Sequence, residues 1–125
     1  ISILKNKKIP IYGNGKQKRE WIYVDDFVSS IDFIISKGLF RENFLIGSRI
    51  RFENKILAKK IINIFKDKFY FNKKKINLIR VKDRPGHDQE YKVNSSKIRK
   101  LGWKSKTNID NDLFKTICSY KNNNK

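Results

Sequence analysis

The stretch that most constrains this chain runs from Arg19 to Ile35, where a strand pattern passes into a helix pattern with no linker. Arg19 to Val24 (REWIYV) alternates large and β-branched residues with a period of two, the signature of a half-buried strand. From Val24 onward Phe27, Val28, Ile31, Ile34 and Ile35 recur at i, i+3, i+4 and i+7. Asp25 or Asp26 is placed to cap this helix and Gly38 to stop it. A strand feeding an amphipathic helix calls for helices layered on a sheet, and the alternation on either side makes the fold class α/β.

Ile9 to Tyr12, closed by Gly13-Asn14-Gly15, predicts a short strand and a turn, because Gly and Asn tolerate positive φ. Asn43 to Ile46 predicts another strand, broken by Gly47. A second helix is expected from Asn54 to Lys68, with Ile56, Leu57, Ile61, Ile64 and Phe65 on one face. Ile76 to Val81 is a third apolar run. The DRPGHD segment, Asp83 to Asp88, follows it, and its Pro85-Gly86 pair demands a turn. Glu90 to Val93 fits a further strand, Ser95 or Ser96 caps a short helix ending at Gly102, and Asp110 opens a last helix through Tyr120 with Leu113, Phe114 and Ile117 inward. Residues 1–121 are expected to form one unit, with 122–125 a frayed polar tail. Three to five short strands are too few for a self-sufficient doubly wound sheet.

Composition narrows the class. A chain of 125 residues buries roughly two thirds of its unfolded surface, enough for one domain without a staple. The lone Cys118 and lone His87 exclude an internal disulfide and a tetrahedral zinc set. No apolar run approaches the roughly 20 residues of a membrane span, and no secretory signal opens the chain, so a cytoplasmic protein is expected. There is no methionine, and the apolar start Ile1-Ser2-Ile3-Leu4 looks like the end of an element already under way. A processed chain or fragment is the expectation. The net charge of +18 would attract polyanions. The excess is mostly lysine spread along the chain, accompanied by Asn, Ile and Phe, and fits a solvated surface better than a specific nucleic-acid site.

The chemistry-bearing residues are few. No GxGxxG and no GxxxxGK[ST] is present, so the chain has neither a dinucleotide cradle nor a P-loop. With one imidazole and no nucleophile elbow, hydrolase chemistry is not expected. Arg19 at the mouth of the REWIYV strand and Arg84 in the DRPGHD turn remain as anion ligands, because a planar guanidinium grips phosphate oxygens in a bidentate way. Two arginines from separate loops could straddle a diphosphate. The plainer alternative is that each forms a surface ion pair, with Glu20 and Asp83 as ready neighbours. For His87 the plainer role is a hydrogen bond to Asp83 or Asp88, for Asn54 a helix N-cap, and for Tyr12 and Trp21 packing.

Taken in order, PIYGNGKQKREWIYVDD, ENFLIG with Asn54 beyond it, and VKDRPGHDQEYKVNSSKIRKLGW resemble the C-terminal third of the dTDP-glucose 4,6-dehydratases, a family of extended short-chain dehydrogenase/reductases. The resemblance runs from about Leu4 to Tyr120. PIYG with REWIYV is shared with other nucleotide-sugar members, whereas DRPGHD with the later KIRKLGW is sharper and points to the dTDP-glucose branch. The resemblance implies a small C-terminal substrate-binding lobe, without the N-terminal Rossmann lobe that binds NAD.

By the same resemblance Pro10, Ile11 and Tyr12 contact the nucleotide end of a dTDP-sugar. Arg19 holds the diphosphate, Asn54 is a polar ligand to the nucleotide, and Asp83, Arg84, Pro85, Gly86 and His87 form a loop whose arginine is a second phosphate ligand. It further implies a homodimeric complete enzyme in deoxysugar synthesis, with the hydride-transfer and dehydrating residues in the lobe upstream of Ile1, so this chain alone should be inactive. Phe44 to Ser48 (FLIGS) departs from the family's Tyr-Asn-Ile-Gly-Gly, and Glu90-Tyr91 from its Arg-Tyr. The alternatives are a basic polyanion- or nucleic-acid-binding module and an inactive remnant on the same fold.

Overall fold

In the computed structural model, residues 1–69 and 76–122 are described. The elements are β1 (Ile9–Tyr12), β2 (Lys18–Glu20), α1 (Val24–Ser36), β3 (Arg51–Glu53), α2 (Asn54–Phe69), β4 (Leu78–Val81), α3 (Ser96–Lys100) and α4 (Ile109–Asn122). Among the described residues the strands form two small ribbons. β1 pairs with β4 in parallel, Ile9 opposite Leu78 and Tyr12 opposite Val81. β2 pairs antiparallel with β3, Arg19 opposite Phe52. The α/β expectation holds, and the chain has too little sheet for a doubly wound layer.

The core lies where α2 and α4 meet the N-terminal segment. Ile3, Ile62, Phe65 and Ile117 are buried together, with Leu4, Ile9, Ile61 and Leu78 partly buried against them. Phe69 bridges the helices, tilted against Phe65 at 5.6 Å and stacked on Phe114 at 5.9 Å. Phe114 is thus outside the core proper, exposed on its far side. α2 follows the expected span to within a residue; Leu57 and Phe65 are buried and Ile61 and Ile64 half-buried as expected, whereas Ile56 is exposed and Ile62, outside the expected face, is buried.

α1 forms where expected, with Gly38 at φ +66° just beyond its end, but it is mounted the other way round. Val24, Phe27, Val28, Ile31 and Ile35 are exposed, whereas Asp26 and Ser30 are buried. Helical spacing says which residues share a face; it does not say on which side the rest of the chain lies. Here the polar face is held by hydrogen bonds. Trp103 Nε1 donates to Ser29 Oγ at 3.1 Å, and the Ser105 and Thr107 hydroxyls both donate to Asp26 Oδ2 at 2.6 Å. Asp26 is therefore spent on the 103–107 loop, and the N-cap position falls to Tyr23, with no side-chain cap bond.

Other expectations need correction. The REWIYV strand pairs only as far as Glu20, and begins one residue earlier, because its partner β3 offers three residues. That partner escapes sequence reading, since Arg51-Phe52-Glu53 is too short and charged to show alternation. Asn43 to Ile46 has no regular structure; Lys97 Nζ instead donates to Asn43 O and lies 4.6 Å over the Phe44 ring. Glu90 to Val93 contributes one bridge, Glu90 to Lys18. The last helix begins at Ile109 under a reciprocal cap: Asn108 Oδ1 accepts from Asn111 N–H while Asp112 Oδ2 accepts from Asn108 N–H. It continues to Asn122; the rest of the expected frayed tail, 123–125, lies outside the described residues, as does the lysine run at 73–75. Among the described residues no helix is long and apolar enough to cross a membrane.

Candidate functional site

Parallel pairing sets the carboxyl ends of β1 and β4 side by side, and Gly13 N–H extends the ladder to Val81 O at 3.0 Å. The loops leaving both ends, 13–17 and 82–90, consequently rise together, the place where α/β proteins assemble ligand sites. Approach is close: a Cβ on Gly13, which sits at φ +56°, would stand 2.4 Å from Asp83 Oδ2. Glycine is required there on both counts.

Gln17 occupies the junction. It is 1% exposed. Its Nε2 donates to Asp83 Oδ2 at 2.9 Å and to Tyr12 O at 3.3 Å, and its backbone carbonyl accepts from Asn54 N–H at 3.0 Å. Both partners of Nε2 are pure acceptors, which settles the amide orientation. Gln17 Oε1 is buried without a hydrogen-bond partner among the described residues. An orphaned acceptor of this kind costs about 1–3 kcal/mol, so this side chain is a poor investment for stability alone.

His87 Nδ1 lies 2.6 Å from Asp83 Oδ1. That hydrogen bond, with Arg84 N–H and Gln17 Nε2 donating to the same carboxylate, holds Asp83 below its ordinary pKa despite some opposing desolvation. An ionised Asp83 can only accept, so Nδ1 carries the proton and Nε2 is left as the imidazole's other functional nitrogen. Tyr12 meets the His87 ring edge-on at 6.4 Å.

Arg19 stands on the neighbouring strand. Its Nη1 donates to Lys18 O at 2.7 Å, its Nη2 to Asp88 O at 3.0 Å, and its guanidinium lies 4.3 Å over the Tyr91 ring. Tyr91 O–H donates to Asp88 Oδ2. That bond and the Asp88 charge push the Tyr91 pKa up, with a little help from desolvation, while the charges of Arg19 and Arg84 both pull it down. The two guanidinium groups therefore act on one phenol. Neither forms an ion pair with a carboxylate among the described residues. Glu20, the expected partner of Arg19, turns away to accept from Arg49 N–H at 2.8 Å and Val93 N–H at 3.3 Å. Asp83 takes His87 instead of the Arg84 side chain, so His87 has the expected hydrogen bond.

The sequence-predicted residues thus divide. Tyr12, Asp83 and His87 touch through side chains or Gln17, with Arg84, Pro85 and Gly86 on the loop between Asp83 and His87; Arg19 joins them through Asp88 and Tyr91. Asn54 connects by its backbone to Gln17. Pro10 and Tyr12 are exposed on one face of β1, while Ile11 lies on the other, among Gly15 and Lys55. Sequence reasoning passed over Gln17 and used Tyr91 only as part of a motif. The available signal for Gln17 was its place two residues before Arg19, an uncharged side chain between Lys16 and Lys18. Among the described residues no cluster of His, Cys, Asp or Glu could hold a metal ion.

The family model described as GDP-mannose 4,6 dehydratase matches residues 1–116. The chain belongs to the GDP-mannose 4,6 dehydratase family. Curated proteins that it resembles include the dTDP-D-glucose 4,6-dehydratase of Dictyostelium discoideum, 35% identical over 97% of this chain and 34% of that protein. A dTDP-glucose 4,6-dehydratase of Escherichia coli is 35% identical over 98% of this chain and 36% of its own length. Among solved structures of the family, the dTDP-glucose 4,6-dehydratase of Bacillus anthracis in complex with NAD superposes with a TM-score of 0.76 at 30% identity, over 98% of this chain and 37% of that one. The resemblance carried by DRPGHD is borne out, and the chain spans about a third of the length of these relatives.

Proposed function

We propose that this chain is the sugar-nucleotide-binding part of a dTDP-glucose 4,6-dehydratase, acting with a dinucleotide-binding lobe that its own 125 residues do not supply. The observation that carries this reading is that Arg19 lies over Tyr91 and bonds Asp88 O, just beyond the DRPGHD turn that carries Arg84, both cations lacking a carboxylate partner among the described residues, at the carboxyl ends of β1 and β4. A pyrophosphate is the ligand such a pair fits, since each guanidinium offers a planar fork to phosphate oxygens. Pro10 and Tyr12, on the exposed face of β1, and Asn54 would then serve the nucleotide, with Ile11 supporting them from the opposite face of the strand. His87, with Nδ1–H committed to Asp83, keeps Nε2 as its remaining nitrogen for a ligand.

The sequence has no glycine-rich dinucleotide loop, so its residues do not fit NAD. Held by the other lobe, NAD would supply the redox chemistry, and no residue of this chain is assigned to it. The contribution of these 125 residues is to hold the base and diphosphate so that the hexose is presented to chemistry done by the other lobe. The chain is inactive alone. The relatives' extra length and the bare apolar face of α1 both support that lobe as the partner.

Titrating the chain, joined to its dinucleotide-binding lobe, with dTDP and with random DNA at rising salt tests the reading. Saturable dTDP binding that is weakened in Arg19→Ala and Arg84→Ala, with folding intact, supports it. Indifference to dTDP together with a steep salt slope for DNA overturns it in favour of a polyanion-binding module.

A further inference from the structure

Every segment assigned to the ligand meets at one side chain that no ligand role requires. Gln17 reaches the Tyr12 carbonyl and the Asp83 carboxylate through its side chain and Asn54 through its backbone, and it immediately precedes β2, on which Arg19 lies two residues beyond it. Its Nε2 also packs 3.3 Å from His87 Nδ1. The side chain is buried, so it is a link between the two loops and has no surface of its own to offer a ligand.

We propose that Gln17 is a positioning residue: its amide ties the Asp83–His87 pair to β1 and so sets the DRPGHD loop, and Arg84 with it, in register with Arg19. This rests on the reading that the loop binds a nucleoside diphosphate. The physical argument is one of directions. His87 and Arg84 N–H both pull on Asp83 Oδ1, from within the loop itself. Gln17 holds Oδ2, among the described residues the only oxygen of that carboxylate bonded from outside the loop. Remove the amide and the loop keeps its internal bonds and its ties to Lys18 and Arg19 at Asp88 and Gln89, yet its Asp83–His87 end, which carries Arg84, loses the side-chain bond that orients it against the 13–17 turn. The loop then samples several orientations, and a two-arginine clamp loses affinity when one arm is free to wander.

The test uses the chain joined to its dinucleotide-binding lobe. His87 is the sole histidine of these 125 residues, so its imidazole nitrogen signals are assigned by their disappearance in His87→Gln. In Gln17→Leu, dTDP affinity is expected to fall about tenfold, and the His87 imidazole signals are expected to shift and broaden as the loop samples several orientations, while Asp83 keeps the Nδ1–H tautomer. The affinity loss should vanish when Gln17→Leu is made in an Arg84→Ala background and persist in an Arg19→Ala background. A Gln17→Asn variant, which keeps an amide but is one methylene too short, should behave like Gln17→Leu and serves if the latter fails to fold.

A lowered thermal midpoint with unchanged His87 imidazole shifts and linewidths and additive affinity effects would show a purely structural role and overturn the proposal. If Arg84→Ala itself leaves dTDP affinity unchanged, the sugar-nucleotide reading fails, while the His87 spectra still decide whether Gln17 sets the loop.

Discussion

The guanidinium of Arg19 lies 4.3 Å from the centre of the Tyr91 ring, and Asp88 serves both, its carbonyl accepting from Arg19 and its carboxylate from the Tyr91 hydroxyl. Residues 69 positions or more apart along the chain are thus locked into one platform. The aromatic face limits where the cation can go without neutralising it, which is what a phosphate ligand needs from an arginine.

Replacing the ring separates these contributions. Tyr91→Phe keeps the face and loses only the bond to Asp88, so dTDP affinity should change little. Tyr91→Leu removes the face, and affinity should drop about two- to fivefold, the range of an exposed cation–π contact. Calorimetric titration of both variants reads the difference, and equal affinities would show that Arg19 does not depend on the ring.

Gly13 offers an independent route to the same loop. A methyl group there would stand 2.4 Å from Asp83 Oδ2, on a backbone at φ +56°. Gly13→Ala should displace Asp83, perturb the His87 imidazole signals and weaken dTDP binding. Gly86, with φ +66° but nothing within 4 Å of its would-be Cβ, should show only the backbone cost when changed to Ala.

Asp26 gives the 103–107 loop a pH dependence. Its desolvation raises the pKa, but the Ser105 and Thr107 hydroxyls and the backbone N–H groups of Lys106 and Thr107 outweigh it, leaving the folded value below the ordinary 3.8. A depressed carboxylate pKa stabilises the fold fully above the unfolded value and loses that effect as pH falls through the folded one. Acid titration below about pH 4 should therefore release the loop and expose Trp103, whose emission can be followed in a Trp21→Phe background. In Asp26→Asn this acid transition should disappear from the Trp103 signal.

The apolar face of α1 predicts its own outcome. Ile31 is 43% exposed, so Ile31→Glu should leave the helical circular dichroism and thermal midpoint of the chain nearly unchanged. The same variant should fail to associate with the dinucleotide-binding lobe in size-exclusion chromatography. Normal association would show that this face is covered by something else.

Legibility in the sequence followed the range of the interactions involved. The α1 and α2 spans and the Pro85-Gly86 turn rest on local periodicity and on glycine or proline geometry, and were readable. β3 was not, because Arg51-Phe52-Glu53 becomes a strand only by pairing with Lys18–Glu20, more than thirty positions away. The Asp25/Asp26 cap was misjudged for the same reason: a carboxylate suited to its own helix terminus was claimed by hydroxyls 79 and 81 residues further on.

The amino-acid order by itself determined an α/β chain with one pair of site-forming loops, the presence of Arg19 and Arg84 in them, and the absence of a dinucleotide cradle or zinc set, because these depend on residue type and near spacing. Tertiary structure decided that Glu20 leaves Arg19 unpaired, that Gln17 joins the loops, and that α1 turns its apolar stripe outward. Those outcomes hang on which distant groups compete for the same hydrogen bond or the same buried side. That competition is resolved only when the loops at the ends of β1 and β4 are brought together in space.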